Sequence, residues 1–310
     1  MRVLQLKKPG IKRARALTIG NFDGVHQGHQ AILAHLVSVS LERNLIPTVL
    51  IFQPHPAEFF SPSKAPVRLY GIREKVRSFL DVGIEEVCIL PFNVRYAKMV
   101  AEDFVGDVLV KELSVQWLLV GDDFRFGSGR SGDYQMLQKL GLELGFDVEA
   151  NQSVKVGEVR VSSTAVREAL SSGDLNFAEE LLGKRYNISG RVVRGDQIGR
   201  TLGFPTANIH FGRESFPLSG IFMAYVEGLE FKQRPALVSV GKRPTVTSKG
   251  DVCIEAYILD FSGDLYGKML NVIFVRKIRD QEAFTSTCDL IAAMKEDERN
   301  ARLYFELNVT

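Results

Sequence analysis

Along the first half of the chain, short apolar runs alternate with segments in which apolar residues return every three or four positions. The runs at 14–20 (ARALTIG), 46–52 (IPTVLIF), 86–91 (EVCILP), 115–120 (VQWLLV) and 146–150 (FDVEA) read as strands. The segments at about 28–43, 71–82, 101–113 and 133–144 read as helices; the first carries Ile32, Leu33, Leu36, Val37 and Leu41 at helical spacing. Strands separated by helices of this length must run parallel, because a parallel pair needs a crossover connection. The pattern therefore predicts an α/β domain with a parallel sheet covered on both faces. Ligands of such sheets bind beyond the carboxyl ends of the strands, which places the loops at 20–29, 52–66 and 121–132 on one rim.

The texture changes after residue 160. Helical pieces at about 164–171 and 174–182 end at LLGKRY, where Gly183 is a natural helix stop. Short β-branched and aromatic runs follow at 186–194, 221–227, 235–240, 252–260 and 269–277, separated by glycine turns. These predict a small antiparallel barrel or sandwich, closed by an amphipathic helix at about 281–305. The change falls near 183–186, so the expected division is 1–184 and 185–310.

Composition narrows the picture. The 310 residues suffice for two cores. Lys plus Arg (39) nearly balances Asp plus Glu (37), a net charge of +2 that gives no electrostatic case for nucleic acid or a membrane surface as the main partner. Cys88, Cys253 and Cys288 show no metal-ligand spacing and suit a reducing cytoplasm. The N-terminus lacks an apolar signal core, and no run of about 18 apolar residues occurs. The expectation is a cytoplasmic protein.

Candidate chemistry concentrates in a few stretches. TIGNFDGVHQGHQAIL (18–33) leads from a strand into a helix, with Gly20, Gly24 and Gly28 allowing close approach of the backbone to a ligand. A helix N-terminus there directs unpaired N–H groups at an anion, and His26 and His29 share a face. Three readings stand: donors to phosphate, half of a metal site, or a glycine-rich turn with incidental histidines. VGDDFRFGSGRSGDY (120–134) contains a formal GxGxxG (Gly127, Gly129, Gly132), but six residues separate its first glycine from the strand, unlike a dinucleotide fingerprint. Its Arg125 and the aromatic faces of Phe124 and Phe126 are the more plausible ligand contacts. VSSTAVREAL (161–170) is either a Ser/Thr-rich helix start or a second anion site with Ser162, Ser163, Thr164 and Arg167. In FQPHP (52–56), His55 either faces a ligand or caps a turn.

The second half carries GDQIGRTLGFPTANI (195–209). Thr206 and Asn208 are alternate residues on an extended segment, so their oxygens point the same way and suit a hard cation such as Mg²⁺. Glu255, in CIEAYILDF, is a carboxylate within an apolar strand, either a solvent-facing position or a general base.

Taken in order, these segments resemble the bacterial bifunctional riboflavin kinase/FAD synthetase family over nearly the whole chain. The first half matches through GNFDGVHQGH, with its HxGH motif, and through FQPHP, GDDFRFG and SSTAVR; the second matches through GRTLGFPTANI, GKRPT (241–245) and LDFSGDLYGK (259–268). Ser239 and Phe222 stand where that family commonly has Asn and Tyr. The resemblance implies a Rossmann-like nucleotidyltransferase domain followed by an antiparallel β-barrel kinase domain with a terminal helix. Riboflavin plus ATP would give FMN in the second, and FMN plus ATP would give FAD and pyrophosphate in the first, with Mg²⁺ as cofactor. One retained activity, or a non-catalytic flavin or nucleotide sensor, are the alternatives.

The resemblance also distributes roles. In the first half, His26, His29 and Arg167 would stabilise the adenylyl transition state. ATP would meet Gly20, Asn21, Phe22, Asp23, Gly24 and Gly28, together with Asp122, Phe124, Arg125 and the hydroxyls of Ser162, Ser163 and Thr164; FMN would meet Pro54 and His55. In the second half, Glu255 would be the general base and Thr206 and Asn208 the metal ligands. ATP would there meet Gly195, Gly199, Arg200, Gly203, Phe204 and Pro205 besides those two.

Overall fold

The structure is a computed structural model that describes residues 2–4, 13–121, 123–151, 154–195, 198–213, 215–228, 231–242 and 252–307. The chain divides into two compact units, Met1–Pro66 with Tyr70–Ser162, and Val67–Leu69 with Ser163–Thr310.

In the first unit, six strands form one sheet: β1 (Arg2–Leu4), β2 (Arg15–Ile19), β3 (Ile46–Gln53), β4 (Glu86–Pro91), β5 (Val115–Gly121) and β6 (Asp147–Asn151). All pair in parallel, in the order β1-β4-β3-β2-β5-β6. From β2 the chain steps to β3 and β4, then returns to the other side of β2 for β5 and β6. The sheet therefore changes direction between β2 and β5, where a crevice opens beyond the strand ends. Every residue of β2 is buried, as a strand covered on both faces must be. A two-residue hairpin pair, β7 (Lys155–Val156) and β8 (Val159–Arg160), follows the sheet.

The longer helices of this unit are α1 (Gln27–Glu42), α2 (Ile72–Val82) and α3 (Tyr134–Leu144), with a π-helical stretch at Phe104–Glu112 and short helical turns at Pro56–Phe60, Val94–Lys98 and Ala101–Asp103. The expected elements are all present, with two corrections. The strand at Arg2–Leu4, paired with β4, lies in a segment with no strand expectation, its three residues being too short to show a period. Leu41 is 78 % exposed. The buried stripe of α1 runs through Leu33, Leu36 and Ser40, whose hydroxyl donates to the Leu36 carbonyl at 2.6 Å, and Leu41 stands a further step around the helix.

The second unit begins with α4 (Ser163–Ser172) and α5 (Leu175–Leu182); Gly183 ends the latter in the left-handed conformation at φ 71°. Six strands then close an antiparallel barrel in the order β10-β13-β12-β11-β14-β9. They are β9 (Asn187–Val193), β10 (Ala207–His210), β11 (Gly220–Gly228), β12 (Arg234–Lys242), β13 (Val252–Ile258) and β14 (Met269–Arg279). β9 pairs with both β10 and β14, which decides barrel over sandwich. The interior is apolar: Ile188, Phe222, Val238, Ile254, Ala256 and Phe274 are at most 1 % exposed. Phe222 stands edge-on to Phe274.

Two boundaries differ from expectation. β10 has only four residues with the polar Asn208 among them, so the apolar pattern marks no strand there, although 206–208 reads as extended. The last helix, α6 (Thr287–Leu307), starts later than 281 because the Ser286 hydroxyl accepts from the Asp289 N–H and caps it. Residues 280–286 are thereby left as a non-helical approach. α6 seats Ala301 and Phe305 on an outer apolar patch of Met223, Leu237 and Leu259.

Candidate active sites

In the first unit, β2 ends at Ile19 and the chain turns sharply before α1. Phe22, Gly24 and Val25 adopt φ of 50°, 80° and 43°. Two of these are not glycine, and such positions cost about 1–3 kcal/mol each where the surroundings enforce them. Two contacts do the enforcing. Asp23, 1 % exposed, accepts from the Tyr70 N–H at 2.9 Å, and Phe22 packs edge-on against Phe79. Asp23 and Phe22 thus build the turn from within.

His26 is the N-cap of α1, and its Nδ1 accepts from the His29 N–H at 3.3 Å. A Cβ at Gly28 would come 3.2 Å from that same Nδ1, so the cap needs the glycine. The two imidazoles stack, with centroids 3.7 Å apart and planes within 15°, and Phe22 lies 5.0 Å from His29. Burial, and then the nearby His26 and Lys75, hold the His29 pKa well below its usual value. His29 is thus a neutral imidazole, suited to donate one directed hydrogen bond. Its Nδ1 is buried without a hydrogen-bond partner. No group of three or more His, Cys, Asp or Glu among the described residues could hold a metal, which leaves the histidine metal reading without support.

Beside the turn lies a cavity of 960 Å³ at the carboxyl rim of the sheet. It brings together Gly20, Asn21, His55, Phe124 and Arg125 of the expected residues. His55 also caps Pro56–Phe60: its Nδ1 accepts from the Ala57 N–H, and its own N–H donates to Glu58. Both readings of that histidine are therefore compatible with its position. Pro54 is exposed. Phe126 is largely buried and paired across the loop with Gly132, where a Cβ would strike its ring, while Phe126, Gly127 and Gly129 also line the cavity. Asp122 lies outside the described residues.

Sequence reasoning missed the aromatic wall of this cavity. Phe59, Phe60 and Phe92 form a cluster of edge-to-face rings with centroids 5.4–5.7 Å apart, and Phe60, Phe92 and Tyr96 line the space. The signal was available. A parallel sheet puts the loop after β4 on the same rim as the others, and that loop opens with Phe92.

In the second unit, Ser163, Thr164 and Arg167 lie on the first turns of α4, and the Arg167 Nε donates to the Val67 carbonyl at 2.6 Å. Ser162 is the last residue of the first unit. Two cavities of 640 Å³ each open on the barrel wall. The first is lined by Thr206, Asn208, Ser239, Glu255 and Tyr257 together with Gln281. Strand register assembles the polar part: Asn208 faces Glu255 across β10 and β13, and Ser239 faces Glu255 across β12 and β13. Ile254, Ala256 and Ile258 are buried, so alternation turns Glu255 outward to the cavity. The Cys253 thiol lies 3.5 Å from both Asn208 Oδ1 and Glu255 Oε1.

The second cavity takes Arg200, Pro205, Phe261 and Tyr266 as lining, and Thr206 lines both. Gly199 and Phe204 line the first cavity, and the glycines here also make room for their neighbours. A Cβ at Gly195 would come 2.5 Å from Asn208 Nδ2, and one at Gly199 would come 2.5 Å from the Phe204 carbonyl. Gly203 turns at φ 90°, and Phe204 is buried against Tyr257. The approach at 280–286 was also missed: Gln281 Nε2 donates to the Ser239 hydroxyl at 3.0 Å, and Arg279 holds α6 through a bidentate pair with Asp297. GKRPT reaches residues 243–245, outside the described residues.

Comparison with known proteins agrees with this two-site division. Residues 8–165 match the family model described as FAD synthetase, and residues 182–305 match the one described as riboflavin kinase. A bifunctional riboflavin kinase/FMN adenylyltransferase of Escherichia coli strain K12 is 47% identical over 94% of this chain and 93% of its own. The protein of the same description from Pseudomonas fluorescens is 44% identical, again over 94% and 93%. A crystal structure described as a macrolide-efflux protein from Streptococcus pneumoniae superimposes with a TM-score of 0.77 at 28% identity, covering 94% of this chain and 97% of that one. Among the described residues of the present chain, no helix is long and apolar enough to cross a membrane.

Proposed function

The chain belongs to the family of bifunctional riboflavin kinase/FMN adenylyltransferases, and from that premise we propose how its residues divide the two reactions. The enzyme phosphorylates riboflavin with ATP to FMN and then adenylylates FMN with a second ATP to FAD and pyrophosphate. We take 1–184 as the adenylyltransferase and 185–310 as the kinase.

In the kinase the nucleophile is a ribityl hydroxyl, weak until its proton is removed. Glu255 is the general base, a role worth about 10²–10⁴-fold. Its place in the same strand row as Asn208, on the wall of a flavin-sized cavity, is the observation that carries this assignment. The cavity containing Glu255 takes riboflavin and the cavity beyond Thr206 takes ATP, so the γ-phosphoryl group crosses at Thr206. A hydroxyl and an amide oxygen are hard donors, so Thr206 and Asn208 would hold Mg²⁺. Mg²⁺ bound there supplies neutralisation of the ATP phosphates. Arg200 and Pro205 line the ATP cavity, Gly199 and Phe204 line the riboflavin cavity, and we assign these four with Gly195 and Gly203 to the seam where the two substrates meet.

In the adenylyltransferase the nucleophile is the FMN phosphate, already an anion, so no base is needed. The requirement is relief of repulsion between two phosphorylated substrates and stabilisation of departing pyrophosphate. The turn from Gly20 to Gly24 and the start of α1 offer backbone N–H groups; His26 and His29 offer directed donors. Arg167, Ser163 and Thr164 are assigned to the same step on the resemblance of their segment. The aromatic wall of Phe60, Phe92 and Tyr96 suits a flat isoalloxazine ring, with Pro54 and His55 at its edge. Adenine and ribose fall to Asp122, Phe124 and Arg125. The substrates are small molecules, and the setting is the cytoplasm.

The test is a time course with riboflavin, ATP and Mg²⁺ followed by chromatography. FMN should rise first and FAD follow; formation of neither flavin nucleotide overturns the assignment.

A further inference from the structure

The positive charge that a neutral His29 does not carry stands on the neighbouring helix. α2 turns Glu74, Lys75, Ser78 and Phe79 inward, and Lys75 is 6 % exposed. A lysine is seldom so buried unless its ammonium is paired. Here the Nζ donates to two oxygens of one residue, the Asn21 carbonyl at 2.8 Å and the Asn21 side-chain oxygen at 3.1 Å. Asn21 lies between Gly20 and Phe22, where the backbone enters the left-handed region, and it lines the cavity at the sheet rim. Two hydrogen bonds to one asparagine fix both its peptide plane and its side-chain rotamer.

We propose that Lys75 is a positioning residue for adenylyl transfer: it locks Asn21, so that the turn keeps its open face to the nucleotide phosphates, and it supplies the fixed charge of a site whose histidines supply directed N–H groups. The inference rests on the adenylyltransferase reading of this half. Lys75 from α2 and His26 from the turn are the charged or titratable groups that act on His29, and both disfavour its protonation. A second full charge on His29 would repel the buried ammonium, so the two groups divide the work. The lysine attracts polyphosphate without direction, and the imidazole directs without charge.

The experiment uses the full chain and compares Lys75→Met, Lys75→Arg and Asn21→Ala, with riboflavin-to-FMN conversion as the control for the second unit and a denaturant melt followed by Trp117 fluorescence as the control for a folded first unit. Lys75→Met should lower kcat for FMN-to-FAD conversion by about tenfold or more, the scale of a misplaced reacting group, with FMN formation unchanged. Lys75→Arg should recover most of that loss. The acid limb of FAD formation should move to higher pH in Lys75→Met, because His29 loses a like-charged neighbour, whereas Asn21→Ala should lower the rate and leave the limb in place. Should Lys75→Met fail to fold, the Asn21→Ala rate and the Lys75→Arg pH profile decide alone. FAD formation within twofold of the parent in both Lys75→Met and Asn21→Ala overturns the proposal. So does a loss that is equal at every pH and is not restored by arginine. A parent protein that makes no FAD from FMN overturns instead the reading on which it rests.

Discussion

The two halves present the residues proposed for catalysis, and their strand neighbours, on different kinds of scaffold. In the first, the groups sit on a strained turn and a helix start, where three positive φ values in four residues shape the backbone. In the second, they sit in one row across three neighbouring strands, where pairing register alone puts Asn208, Glu255 and Ser239 side by side. The difference follows the nucleophiles. A phosphate that is already ionised needs N–H donors and charge around it, which a helix N-terminus and its turn provide. A hydroxyl needs a base held against it, and a carboxylate on a rigid strand is well fixed for that.

That contrast can be broken by mutation. The largest effect is expected at Glu255→Ala, which should lower riboflavin-to-FMN conversion by about 10²–10⁴-fold and leave FMN-to-FAD conversion intact; loss of FAD formation from supplied FMN would contradict the division. His29→Ala should give the mirror image, a chain that stalls at FMN, with a loss of about 10²-fold or more from one missing donor to the developing charge. Parent-level FAD accumulation by that variant would return the histidine to the status of a structural turn residue.

Much of this was legible in the sequence, for reasons that differ between the halves. The parallel sheet was readable because β2 to β5 are long apolar runs separated by helix-period segments, and the turn because its glycines and histidines are contiguous. The barrel strands were readable too, except β10, whose four residues include the polar Asn208 and show no apolar pattern. What stayed hidden was whatever depends on non-local placement. Lys75 looks like an ordinary charge on a helix until the packing of α2 turns it inward, and Gln281 sits in a segment that reads as helix until Ser286 caps α6 later. Leu41 shows the converse, an apolar residue at nearly the right spacing that faces solvent.

Smaller effects sharpen the comparison through pH. His29 has a folded pKa well below its unfolded value of about 6.5, so the unfolded chain takes up a proton first as pH falls. The first unit should therefore be fully stabilised above about pH 6.5 and lose stability below it, down to the folded pKa. Denaturant melts at pH 7.5 and 5.5 should show this loss in the parent and less of it in His29→Gln. A pH-independent midpoint in the parent would place the charge elsewhere. Smaller still, burial pushes the Cys88 thiol up to about 12, so native protein at pH 8 should label at Cys288, which is exposed, long before Cys88; rapid labelling of Cys88 would contradict its place in the core.

The most direct measurement is a paired chromatographic time course on Glu255→Ala, once with riboflavin and ATP, once with FMN and ATP. The account predicts almost no FMN from riboflavin and FAD from FMN at the parent rate. Parent-rate phosphorylation of riboflavin, or a folded variant that makes FAD from neither substrate, would contradict it.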